Sequence, residues 1–108
     1  MRLRLMASVL TLLCSWVLWE KWIFTDVEHM KIIDAVFEGK SLSECRTASP
    51  DFVKERAASF QRSYKESEYV IISNENSTIL SRRGKKEVLQ RYVYYCLPST
   101  VDPYHDTR

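Results

Sequence analysis

Hydrophobic and polar positions follow two different periods along this chain. In residues 16–24 (WVLWEKWIF) the period is two. Trp16, Leu18 and Trp22 fall on one face, with Glu20 as its polar exception; Val17, Trp19 and Ile23 fall on the other, with Lys21. Alternation among aromatic and β-branched residues predicts a first strand, buried on parts of both faces. Residues 30–37 (MKIIDAVF) predict a second, running into a turn at Glu38-Gly39-Lys40. The polar connection 25–29 lets these two pair as a hairpin.

The period then lengthens. Ser41-Leu42-Ser43-Glu44 is a capping box, in which the Ser41 hydroxyl accepts from the Glu44 amide and Glu44 reaches back. Leu42 and Cys45 lie three apart on one helical face. Pro50 interrupts, because a proline inside a helix lacks the amide that the preceding turn needs. Ser49-Pro50 therefore reads as a second start, with Ser49 as cap and Pro50 in the first turn. Phe52, Val53, Ala57, Phe60 and Tyr64 recur at helical spacing through Lys65, and Lys54, Glu55, Arg62 and Lys65 fall mostly off that stripe. An amphipathic helix packing one face on a sheet is the expectation.

Period two returns in residues 68–73 (EYVIIS) and 77–81 (STILS), joined by the turn Asn74-Glu75-Asn76. The Asn76-Ser77-Thr78 sequon reads as turn chemistry. Residues 88–97 (VLQRYVYYCL) predict the last strand, with Tyr92, Tyr94 and Cys96 on one face. Pro98 ends it, and a polar, extended and partly mobile tail follows. The fold class is α+β: an antiparallel sheet of about four or five strands, with one helical segment, bent or broken near Pro50, on one face.

The start of the chain is of another kind. Arg2 and Arg4 precede an uncharged apolar run, residues 5–14 (LMASVLTLLC), and Ser15 offers a small side chain before Trp16. Those are the three parts of a secretory signal peptide, with cleavage expected after Ser15. Residues 1–15 are then the leader, 16–97 one domain and 98–108 the tail. The alternative keeps residues 5–24 as a signal-anchor, although Glu20 and Lys21 interrupt that span and a crossing helix needs about 20 apolar residues. Lipidation at Cys14 is a poorer fit, since Leu13 stands where a small residue is wanted.

Charge and cysteine usage agree with export. The formal charge is +2, and Arg2 and Arg4 account for all of it, so the domain is balanced and no nucleic acid is expected as partner. Arg82, Arg83, Lys85 and Lys86 around Gly84 read as a solvated turn. With Cys14 in the leader, Cys45 and Cys96 remain, and an even pair in a small exported chain reads as a disulfide. A metal site with His29 and His105 lacks ligand spacing, so no metal or other cofactor is expected.

Trp16-Val17-Leu18-Trp19 after a leader, with Cys96-Leu97-Pro98-Ser99-Thr100-Val101-Asp102-Pro103 near the end, resembles a family of uncharacterised small exported bacterial proteins. Those proteins share W-V-L-W at the mature start, one helical cysteine and a tail close to C-L-P-D-T-V-D-P-R-G. This chain has Ser99 where Asp is usual and Tyr104 where Arg is usual. The resemblance implies export, bacterial origin and the cysteine pair, and it implies no activity.

No catalytic residues are expected. GxSxG, HExxH and a phosphate-binding glycine loop are absent from the sequence, which has two Gly and two His. Asp102 with His105 is the one acid–base pairing, and it sits in the tail. The expected function is a non-catalytic structural or binding domain, periplasmic or secreted, whose partner is a protein or a small apolar ligand; the alternatives are a membrane-anchored envelope protein that keeps residues 5–24 and a small redox or hydrolytic enzyme. Membrane contact through residues 5–24 follows only if the leader is kept.

Overall fold

The chain's first and last strands meet in the middle of one sheet. The structure, a computed structural model, describes residues 15–24 and 31–103. Its elements are β1 (Trp16–Phe24), β2 (Lys31–Gly39), α1 (Leu42–Ser63), β3 (Tyr69–Ser73), β4 (Ser77–Arg82) and β5 (Val88–Pro98). The strands form a five-stranded sheet in the order β2-β1-β5-β4-β3. Every neighbouring pair is antiparallel. Helix α1 packs on one face, so the α+β reading stands.

Register explains which face is buried. Leu18 pairs with Phe37 on one side and Cys96 on the other, and Thr78 pairs with Tyr92. These inward positions join Val53 and Phe60 of α1 in a core with Leu18, Cys45, Leu80, Tyr92 and Tyr94. A bulge places Val36 as an extra residue between the Leu18–Phe37 and Trp19–Ala35 pairs. Both Val36 and Phe37 consequently pack against the core, which strict alternation forbids. Trp16 and Trp22 also face the core, and Trp22 stacks on Tyr92 at 5.1 Å between ring centres.

The start of α1 follows the sequence with one difference. Ser41 Oγ accepts from the Glu44 amide at 3.0 Å, but Glu44 Oε1 accepts from the Lys40 amide at 2.7 Å, one residue before the expected partner. Gly39 suits the tight space here: a Cβ would stand 3.0 Å from Glu44 Oε1 and 3.3 Å from the Cys45 amide nitrogen, so a larger residue has to push its neighbours aside. The Cys45–Cys96 disulfide then ties the second turn of α1 to β5, with Cα atoms 6.2 Å apart.

Four expectations need correction. First, α1 is continuous through Pro50, and Ser49 caps nothing. The cap at Ser41 and the bridge at Cys45 hold the turns before Pro50, while Val53 and Phe60 hold those after it, so packing outweighs one missing amide. Second, α1 stops at Ser63, where the Tyr64 amide still donates to the Phe60 carbonyl at 2.8 Å. Third, residues 16–24 are strand β1 inside the sheet, which removes them from the 5–24 membrane span. Among the described residues no helix is long and apolar enough to cross a membrane. Fourth, the tail does not begin extended: Ser99 and Thr100 form a turn in which the Val101 amide donates to the Pro98 carbonyl at 2.9 Å. The Ser99 amide donates to the Ser15 carbonyl at 3.2 Å, and Pro103 is buried. The leader readings on residues 1–14, Cys14 included, and those on His29, Tyr104 and His105 lie outside the described residues.

Candidate functional site

A cleft of about 670 Å³ opens between the first half of α1 and the β3–β4 turn. Its helix wall is Leu42, Arg46, Ser49 and Pro50, spaced so that one helical face presents all four. The opposite wall is the turn Asn74-Glu75-Asn76. Trp16, Leu18, Tyr94 and Cys96 form the floor from β1 and β5.

The turn wall is held by a local Asx arrangement. Asn74 Oδ1 accepts from the Asn76 amide at 2.9 Å, the Ser77 amide at 2.8 Å and the Ser77 hydroxyl at 3.0 Å. The Asn76 carbonyl accepts from the Tyr94 amide at 2.8 Å, which docks the turn on β5. Ser49 Oγ donates to the Glu75 carbonyl at 3.4 Å and joins the two walls. Pro50 has no N–H to give the Arg46 carbonyl, so that carbonyl lacks its usual helical donor on the flank that borders the cleft.

Behind the floor lies a buried charge. Glu20, 6% exposed, faces α1 from the middle of β1. Arg56 Nε donates to its Oε2 at 2.9 Å and Arg56 Nη2 to its Oε1 at 3.1 Å. The Tyr94 hydroxyl donates to Oε2 at 2.5 Å. The Arg56 guanidinium also lies over the Tyr92 ring, 4.5 Å from its centre.

Ionisation follows from that arrangement. The hydrogen bond to Glu20 holds Arg56 charged well above its ordinary range. Burial, then the hydrogen bond and charge of Glu20, push the Tyr94 phenol far above the usual tyrosine range. Burial raises Tyr92 as well, against the pull of Arg56. Tyr94 is therefore a neutral donor, and the cluster anchors the cleft floor. What the cleft itself offers is recognition: an apolar floor, one guanidinium, one carboxylate and amide groups.

The residues singled out from the sequence are dispersed. Cys45 and Cys96 come together, and Cys96 borders the cleft. The basic turn lies at the other end of β4, where Gly84 takes a φ of 82°. Arg83 there donates to the Glu66 carbonyl at 3.0 and 2.8 Å, and Arg82 lies 5.6 Å from the Tyr69 ring centre. Two of the four cations are thus used in tying that turn to the end of β3 and the connection before it. Among the described residues no group of three His, Cys, Asp or Glu is placed to hold a metal ion.

Sequence reasoning left Glu20 as an exception to its face and did not consider Arg56. The signal was present. Arg56 lies on the stripe with Val53 and Phe60, three and four residues away, so opposite charges stood on the two inward stripes that had to meet. No protein-family model matches this chain, and neither a curated protein nor a solved structure shows significant similarity to it.

Proposed function

We propose that this chain is a small exported protein of a bacterial envelope, non-catalytic, which binds a small and largely apolar molecule in the cleft between α1 and the β3–β4 turn. The observation that carries the reading is the cleft itself. Its volume, about 670 Å³, falls within the range of small-molecule sites, Trp16, Leu18, Tyr94 and Cys96 give it a largely apolar floor, and Arg46, Asn74, Glu75 and Asn76 stand on its walls. Arg46 and Glu75 balance the local charge, so the apolar floor supplies the affinity and Arg46 favours a ligand with an acidic group.

Export is supported by the leader pattern and by the disulfide, which persists in oxidising compartments. Cleavage after Ser15 leaves β1 whole and frees the Ser99 amide from one bond. Amino-terminal sequencing of the exported product is expected to begin at Trp16; an intact Met1 overturns this part.

Binding is tested with anilinonaphthalene sulfonate, which joins an apolar body to an anion. Its fluorescence should rise on the native protein and fall back in Arg46→Glu and Leu42→Lys, two changes at partly or fully exposed positions. A native protein that leaves the dye dark, or variants that bind it unchanged, overturns the cleft as the site.

A further inference from the structure

The two edges of the sheet are unequally defended. Among the described residues β2 and β3 are the outer strands. β2 carries Lys31, Asp34 and Glu38 and is bulged at Val36. Charges and bulges are the devices that stop an edge from pairing with another chain. β3 reads Tyr69-Val70-Ile71-Ile72-Ser73, with no charge, proline, glycine or bulge, and Ile72 is 56% exposed.

The hydrogen-bond phase of the β3–β4 hairpin identifies the groups that point outward. The Arg83 amide donates to the Glu68 carbonyl at 2.8 Å, and the Asn74 amide donates to the Ser77 carbonyl at 2.9 Å. Val70–Ser81 and Ile72–Ile79 belong to the same alternating set of pairs. Residues 68, 70, 72 and 74 therefore aim their backbone groups at β4, and Tyr69, Ile71 and Ser73 aim theirs at the open edge. Tyr69 is already engaged: its amide donates to the Lys65 carbonyl at 2.9 Å, and its carbonyl accepts from Arg83 Nη2 at 3.4 Å. Ile71 and Ser73 remain.

We propose that two copies of this chain pair through β3, antiparallel about a two-fold axis at Ile72, so that Ile71 of each copy exchanges both backbone hydrogen bonds with Ser73 of the other. This register uses the two residues of β3 whose edge groups no described residue of their own chain takes up. Ile72 meets Ile72 of the second copy in a non-hydrogen-bonded pair, where side chains approach most closely. Tyr69 comes opposite Glu75, which carries a carboxylate toward the Arg83 guanidinium that caps the Tyr69 carbonyl. The same patch serves both copies, and the helix-bearing faces stay on one side of a continuous sheet. Strands of five residues bury little surface, so the dimer is weak and reversible.

The test uses the full chain, with its disulfide formed, in a Cys14→Ser background. Ile72→Cys should cross-link under mild oxidation at least about tenfold faster than Ser73→Cys, since only the facing pair meets disulfide geometry. The protein without a cysteine at residue 72 or 73 should sediment as a reversible monomer–dimer mixture at high concentration. Ile71→Pro, which removes an amide the protomer does not use, should sediment as a folded monomer; if it fails to fold, Ile72→Lys takes its place. Equal cross-linking of the two cysteine variants, a wholly monomeric protein, or a folded edge variant that still dimerises overturns the proposal.

Discussion

Arg56 of α1 grips both carboxylate oxygens of Glu20 on β1, across 36 residues of chain, and only Glu20 of the two is buried: 39% of the Arg56 side chain still meets water against 7% for Glu20. The asymmetry matters because the buried member is the one that is costly to strand. Arg56→Ala should destabilise the fold by about 2–4 kcal/mol, toward the lower part of the range for broken buried pairs because the guanidinium is part-hydrated. Removing both charges, in Glu20→Gln with Arg56→Met, should cost less than Arg56→Ala alone. Urea unfolding of the single and double variants measures the coupling.

Alkaline pH should weaken the fold through two phenols. Tyr94 and Tyr92 both titrate above the ordinary value of 10.0 in the folded protein. The unfolded chain then releases protons that the native state keeps. Stability from these groups is full below about pH 10 and falls as pH rises beyond it. Phenolate absorbance during an alkaline titration should show two tyrosines ionising above the ordinary phenol range, and Tyr94→Phe should remove one of them and flatten the loss of stability with pH.

Reduction of Cys45–Cys96 should cost about 4 kcal/mol by the loop-entropy argument, given the 51-residue separation. Cys45 is fully buried and bonded to Cys96, which borders the cleft, so reduction should also loosen the first two turns of α1. Thermal unfolding with and without reductant should show a lowered Tm. Hydrogen exchange should show protection lost in residues 42–49 before the sheet.

Pro50→Ala should stabilise the protein by about 1–3 kcal/mol, because it restores the missing helical amide at an interior position. It should also occupy the Arg46 carbonyl beside the cleft. Greater resistance to urea with altered dye binding is the expected pair of results, and unchanged or lowered stability would mean that α1 gains nothing at this position from a proline-free turn.

Much of the fold was legible because it is local. β1 matches its expected span, residues 16–24, since aromatic and β-branched alternation is a property of nine consecutive residues. The Ser41 cap, the Asn74–Asn76 turn and the positive φ at Gly84 are likewise written within a few positions. The helix through Pro50 was not legible, because the proline penalty is local while the packing that overrides it comes from the whole sheet, β5 above all. The cleft was not legible either: its floor, helix wall and turn wall come from four separate stretches of chain.

From its order of residues alone, this protein's strands, its helix start and its turns are already set, because each depends on neighbours within a turn or a strand length; the cysteine pair follows from counting, since only Cys45 and Cys96 remain once Cys14 is assigned to the leader. Tertiary structure decided the rest. It placed β1 beside β5, it turned the out-of-place Glu20 into the partner of Arg56 and Tyr94, and it left β3 as the undefended edge. Those outcomes depend on which distant segments share a register, and no short window of sequence carries that information.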